Sequence, residues 1–191
     1  MNIVVSPYNP DWLDQFQSLH DVIWSEVSDV AISIEHVGST SVPGLAAKPI
    51  IDMTIVVKND EALEEVVNRL SRIGVQHRGD LGIVGREAFT RLSGFPEHNL
   101  YACMEGAQAL RNHLGIRDYL REYPESAIKY GELKYALAKK YPQDIDAYVA
   151  GKSEFLLTIL TKLGFSESDL EEIENVNQIS NSGFSKKPPG I

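Results

Sequence analysis

The chain has 191 residues, with 27 acidic side chains against 18 basic ones and a formal net charge of −9 at pH 7. An acidic surface repels a phosphate backbone, which excludes duplex nucleic acid as a partner but leaves room for a small anionic ligand in a local cluster of Arg and Lys. With 43% hydrophobic and 24% charged residues, the composition is that of a chain that folds around a core, so neither disorder nor a fibrous repeat accounts for it. The longest apolar run, residues 50–57, carries Asp52 and Thr54 and is far shorter than the ~20 residues of a membrane-spanning helix. The amino end has no basic stretch ahead of an apolar run, and Cys103 is the only cysteine. Both features lead to the expectation of a cytoplasmic protein without a secretory signal, a disulfide or a cysteine-rich metal site. The length suits one domain, placed at 1–165 with its helical part at 105–165, followed by a polar tail at 166–191.

In chain order, Asn9-Pro10-Asp11 opens a helix over 10–28, with Trp12, Leu13, Phe16, Leu19, Ile23, Trp24 and Val27 at helical spacing. Ile32, Ile34 and His36 alternate with Ser33 and Glu35, which predicts a strand ending at Val37-Gly38. A loop from Gly38 to Pro49 leads into a buried strand over 50–57, rich in β-branched residues. Its period of two puts Ile51, Met53, Ile55 and Val57 on one face and Asp52 and Thr54 on the other. A helix over 60–73 ends at Gly74, and short antiparallel strands are expected at 87–92 and 98–104. From Ala107 the pattern is helical, with new helices starting at Pro124 and Pro142.

The chemistry concentrates at two places. His36-Val37-Gly38-Ser39-Thr40 ends a strand in a glycine and two hydroxyls, where backbone N–H and side-chain O–H groups can receive phosphate oxygens, or where a hydroxyl simply caps a turn. Asp52, 13 residues after Ser39, sits in an otherwise apolar strand. A carboxylate there needs a cation, a donor network or a solvent-filled pocket, because burying it unpaired costs several kcal/mol. A Mg²⁺ ion is one such cation, and pairing with Lys48 is another.

The run from His36 to Asp52, His-Val-Gly-Ser-Thr-Ser-Val-Pro-Gly-Leu-Ala-Ala-Lys-Pro-Ile-Ile-Asp, resembles the signature of the GrpB family. His98-Asn-Leu-Tyr-Ala-Cys and Leu110-Arg-Asn-His-Leu-Gly-Ile-Arg-Asp-Tyr-Leu-Arg121 are similar to that family's later motif, and the resemblance extends over about residues 3 to 163. It implies an α+β fold, a nucleotidyltransferase-like mixed β-sheet packed with helices, plus a C-terminal helical segment. It also implies a turn at Gly38, Ser39 and Thr40 that holds a nucleotide phosphate, and strand carboxylates that bind metal for attack on the α-phosphate.

The match departs from that superfamily where the acids are concerned. The second acid position is Thr54, the strand 98–104 supplies no third acid, and only Asp52 carries over as a metal ligand. His98 either replaces a missing ligand, acts as an acid or base, or is a strand-end histidine bonded to backbone; His36 reads better as the last of these. Arg117 with Arg121, Tyr130 with Lys134 and Tyr148 with Lys152 each lie four residues apart on one helix face. Converging over Asp52, they would make a cationic wall with aromatic sides, with Lys48 and Arg86 as further candidates from loops; the alternative is ordinary salt bridging. Two functional readings follow: transfer of a nucleotidyl or phosphoryl group to a small acceptor with Mg²⁺, or a non-catalytic nucleotide- or anion-binding module. A third, a partner-binding protein, would need an exposed apolar patch.

Overall fold

The first helix, α1 (Asp11–Val27), buries Trp12, Phe16, Leu19, Ile23 and Val27 along one stripe, as helical spacing requires. The structure, a computed structural model, describes residues 2–183, with side chains described to 175. Four strands follow in one sheet: β1 (Ala31–Val37), β2 (Ile51–Val57), β3 (Arg86–Phe89) and β4 (His98–Met104). Their spatial order is β1-β2-β4-β3, with β2 parallel to β4 and the outer pairs antiparallel. The return from β2 to β4 runs through α2 (Asp60–Arg72), started by the Asn59 side chain accepting from the Ala62 N–H.

The alternation of β2 divides the molecule. Ile51, Met53, Ile55 and Val57 enter a core shared with α1, with Val66 and Leu70 of α2, and with Leu100 and Ala102 of β4. Val56 and Cys103 face the other way, against Ala109 and Leu110 of α3 (Gln108–Glu122). A third cluster joins α3 to α4 (Pro124–Lys140) and α5 (Ile145–Lys162) through Leu120, Tyr130 and Ile159. A Cβ at Gly151 would overlap the Leu137 side chain, so the missing side chain lets α5 lie close on α4.

Three sequence expectations change. A register shift between Ala31 and Ser33 turns Ile32 outward, so the inward alternation starts at Ile34. Pro142 does not begin α5; Asp144 caps it, its side chain accepting from the Ala147 N–H. Residues 167–183, expected within a polar tail, form α6 (Glu167–Gly183). Ser166 and Asp169 exchange side-chain bonds to each other's backbone N–H at its start, and Gln108 of α3 donates to the Asp169 carboxylate at 2.8 Å. Residues 184–191 of that tail lie outside the described residues. Among the described residues no helix is long and apolar enough to cross a membrane.

Candidate functional site

Asp52 owes its position to two neighbours. Val37, the last residue of β1, pairs with Asp52, and the chain then turns at Gly38 with φ 68°. A Cβ at Gly38 would overlap Asp52 Oδ2, so glycine is required both for the backbone conformation and for the carboxylate to lie against the turn. Across the parallel pairing, the partner of Asp52 is Asn99, whose Nδ2 donates to Asp52 Oδ1 at 2.7 Å. An amide therefore occupies the strand position opposite the acid.

Above this pair lies a cavity of about 400 Å³. Asp52, Asn99 and Tyr101 line its sheet side together with Arg86, expected on a loop but found at the start of β3, while Ser39 and Thr40 line its turn side and Lys48 joins from the loop before β2. Lys134 enters from α4, and Tyr148, Val149 and Lys152 from α5. The four-residue spacing in both helices sets each ammonium over a ring: Lys134 Nζ is 4.4 Å from the Tyr130 centroid and Lys152 Nζ 4.7 Å from that of Tyr148. The Arg86 guanidinium lies 4.3 Å over Tyr101 in the same manner. Lys134 is 2% exposed and its Nζ has no hydrogen-bond partner; Arg86 Nε is also buried and unpartnered.

The charges perturb one another accordingly. Burial, then repulsion from Lys152, lowers Lys134 to about 7, with Asp52 opposing. Burial and the charge of Lys48 lower Lys152 to about 8, again against Asp52. Lys48 is lowered chiefly by burial. Asp52 is raised by burial, a shift that the Asn99 bond and the charges of Lys152, Lys48 and Arg86 oppose. Burial pushes the Tyr148 phenol up to about 12, and burial with the Asp52 charge does the same to Tyr101, so both phenols stay neutral. Four cationic side chains thus surround one carboxylate, an arrangement suited to drawing in an anion.

Not every expected residue joins this cavity. His98, expected near Asp52 as ligand, acid or base, points into the core as the register partner of Ile51 and is 0% exposed. Its Nδ1–H donates to the Pro96 carbonyl at 2.7 Å and its Nε2 accepts from the Leu92 N–H at 3.0 Å, which leaves neither nitrogen for substrate or metal. The Thr40 hydroxyl, expected on phosphate, donates instead to the Ile50 carbonyl at 3.3 Å and meets His36 Nε2 at 3.1 Å. His36 itself stacks on Phe16 at 4.5 Å. Neither Gly38 nor Tyr130, expected on the ligand, lines the cavity: Gly38 admits the carboxylate, and Tyr130 is buried against Phe155 beneath Lys134.

Arg117 and Arg121 form no wall over Asp52. Arg117 pairs with Glu35 at 2.8 Å and Asp118 at 2.7 Å, and Arg121 donates twice to the Ser41 carbonyl, at 3.1 and 2.8 Å. They face a separate cleft of about 720 Å³, which shares Thr40 with the lysine cavity. The carboxylate of Glu35 on the edge strand β1 draws this face of α3 away, so two helices converge on Asp52 rather than three. Thr54, at the second acid position, is 0% exposed and meets His113 Nδ1 at 3.3 Å; burial holds that imidazole down at about 4 and therefore neutral. Among the described residues no group of three or more His, Cys, Asp or Glu is placed to hold a metal ion.

Comparison with known proteins gives the site its context. UPF0157 protein YqkA of Bacillus subtilis is 36% identical over 151 residues, covering 79% of this chain; the chain spans only 44% of YqkA's length. The crystal structure of GrpB from Enterococcus faecalis is 33% identical and superposes with a TM-score of 0.74, covering 89% of this chain and 99% of that one. A structure of Cid1 poly(U) polymerase with Mg 3′-dATP bound, at 11% identity, reaches a TM-score of 0.51 over 83% of this chain and 51% of its own. That likeness concerns architecture alone, and the fold is nucleotidyltransferase-like. Residues 2–162 match the family described as GrpB protein, and the chain belongs to that family.

Proposed function

We propose that the protein binds a nucleotide or another small phosphate compound in the lysine-lined cavity, and that it does so without a resident metal ion. One observation carries the reading. Of the three buried side-chain polar atoms without a partner among the described residues, two, Lys134 Nζ and Arg86 Nε, belong to residues lining this cavity. A buried cationic group with no acceptor is costly to keep, and phosphate oxygens would supply the missing acceptors.

The donor set does not fit the metal centre that the fold would lead one to expect. Two divalent ions bring about four positive charges and call for several carboxylates. Here Asp52 is alone: Thr54 is sealed against His113, Asn99 holds an amide opposite the acid, and Lys48, Arg86, Lys134 and Lys152 would repel a cation. With His98 bonded to backbone on both nitrogens, no histidine among the described residues lines the cavity as a free base either. These features favour the binding module over transfer to an acceptor.

The test is calorimetric titration with ATP in a buffer containing a chelator. The wild-type protein should bind, and Lys134→Met should bind at least about tenfold more weakly. Binding that appears only when Mg²⁺ is restored would overturn the metal-free reading, and mass-spectrometric detection of a transferred nucleotidyl group would restore the enzymatic one.

A further inference from the structure

We infer that the cavity recognises the phosphate chain of a di- or triphosphate and is indifferent to any base attached to it. The inference rests on the phosphate-binding reading of the same cavity and goes beyond it, since it says which part of the ligand is read.

Reading a base requires either an open aromatic face or uncommitted hydrogen-bonding groups at its edge. The aromatic faces are taken. Tyr148 is 1% exposed and carries Lys152 over its ring. Tyr130, 5% exposed and set behind the lining residues, has Lys134 Nζ over its ring and Phe155 stacked on it with a centroid separation of 5.0 Å. The face of Tyr101 that Arg86 covers is closed as well, and His113 packs near the same ring at 5.9 Å. In each case the ring serves as a platform for a cation.

Two of the neutral polar side chains are engaged within the protein. Asn99, whose amide is of the type that reads a base edge, donates to Asp52, and the Thr40 hydroxyl is engaged by His36 and Ile50. Charge dominates the lining: Lys48, Arg86, Lys134 and Lys152 against Asp52, four positive groups less one negative, an excess of three when all are ionised. A single phosphate group, with roughly −1.5 to −2 at neutral pH, leaves that excess unmatched, whereas a di- or triphosphate meets it. The same surplus explains why Lys134 and Lys152 repel each other in the free protein.

The experiment is calorimetry on the full chain at pH 7 with chelator present, comparing tripolyphosphate, ATP, GTP, UTP, inorganic phosphate and adenosine. Tripolyphosphate and the three nucleotides should agree within about threefold, inorganic phosphate should bind at least about tenfold more weakly, and adenosine should give no heat. One nucleotide binding about tenfold tighter than the other two, or all three about tenfold tighter than tripolyphosphate, would overturn the inference and leave the phosphate-binding reading intact. Silence from every phosphate compound would remove that reading, and this one with it. As a second measurement, Lys152→Met should weaken all four polyphosphate ligands by the same factor; a loss confined to one nucleotide would show that the base is being read after all.

Discussion

Replacing Lys134 with methionine removes an ammonium that is 2% exposed and has no hydrogen-bond partner, while keeping most of an apolar stem in place. In the folded protein this amine is lowered from 10.5 to about 7, so the unfolded chain holds its proton more tightly than the folded one. The distance between those values, at 1.36 kcal/mol per pH unit, amounts to on the order of 5 kcal/mol working against the fold. That penalty is fully present below pH 7 and is lost as pH rises towards 10.5, because the folded state releases its proton first. Methionine escapes it but forfeits the stacking of the ammonium on Tyr130, worth about 1–2 kcal/mol. Allowing also for relaxation around the buried charge, we expect a net gain of about 2 kcal/mol at pH 7, or roughly 4–8 °C in Tm for a chain of this size. Thermal melts followed by circular dichroism between pH 6 and 10 measure this directly. Added tripolyphosphate should raise the Tm of the wild type more than that of the variant at the same concentration. A variant that melts at or below the wild type at pH 7, or a gap between them that widens with rising pH, would refute the reasoning.

Asp52→Asn should tighten tripolyphosphate binding by on the order of three- to tenfold in titration calorimetry, because it removes the one negative charge facing the anion while leaving an acceptor for Asn99; weaker binding would point instead to a metal held by this carboxylate. Affinity for the same ligand should fall as pH rises through 7 and then 8, by up to about tenfold per unit for each proton required, since Lys134 and Lys152 must both be charged in the complex. Calorimetry in buffers of different ionisation enthalpy should correspondingly register proton uptake on binding at pH 8. Gly38→Ala should cost at least about 3 kcal/mol in chemical denaturation, from a positive φ and from the overlap of the new methyl group with the Asp52 carboxylate.

Much of this site can be read in the sequence because it follows from periodicity. A period of two isolates Asp52 on the face of β2 opposite the core, and a spacing of four aligns Tyr130 with Lys134 and Tyr148 with Lys152. The position of His98 is legible by the same rule: Leu100 and Ala102 face the core, so His98, two residues earlier on β4, faces it too, while Asn99 and Tyr101 face the cavity. The start of α6 has a local signal as well, Ser166 followed three residues later by Asp169. Pairing across distant segments leaves no such trace. That Asn99 stands opposite Asp52 depends on β2 and β4 running parallel, and the turning of Arg117 away from the cavity depends on Glu35, 82 positions earlier, coming within reach of it.

The lowered basicity of the two buried amines has a consequence beyond charge. An amine titrating near 7 or 8 spends an appreciable fraction of its time at physiological pH with a free lone pair, and is then a nucleophile. Lys152, the less enclosed of the two, should therefore be acylated or converted to an imine by small carbonyl reagents ahead of ordinary surface lysines, and a bound polyanion, by restoring its proton, should protect it. Covalent labelling of one lysine would in this way report occupancy of the cavity whatever the chemical identity of the molecule that fills it.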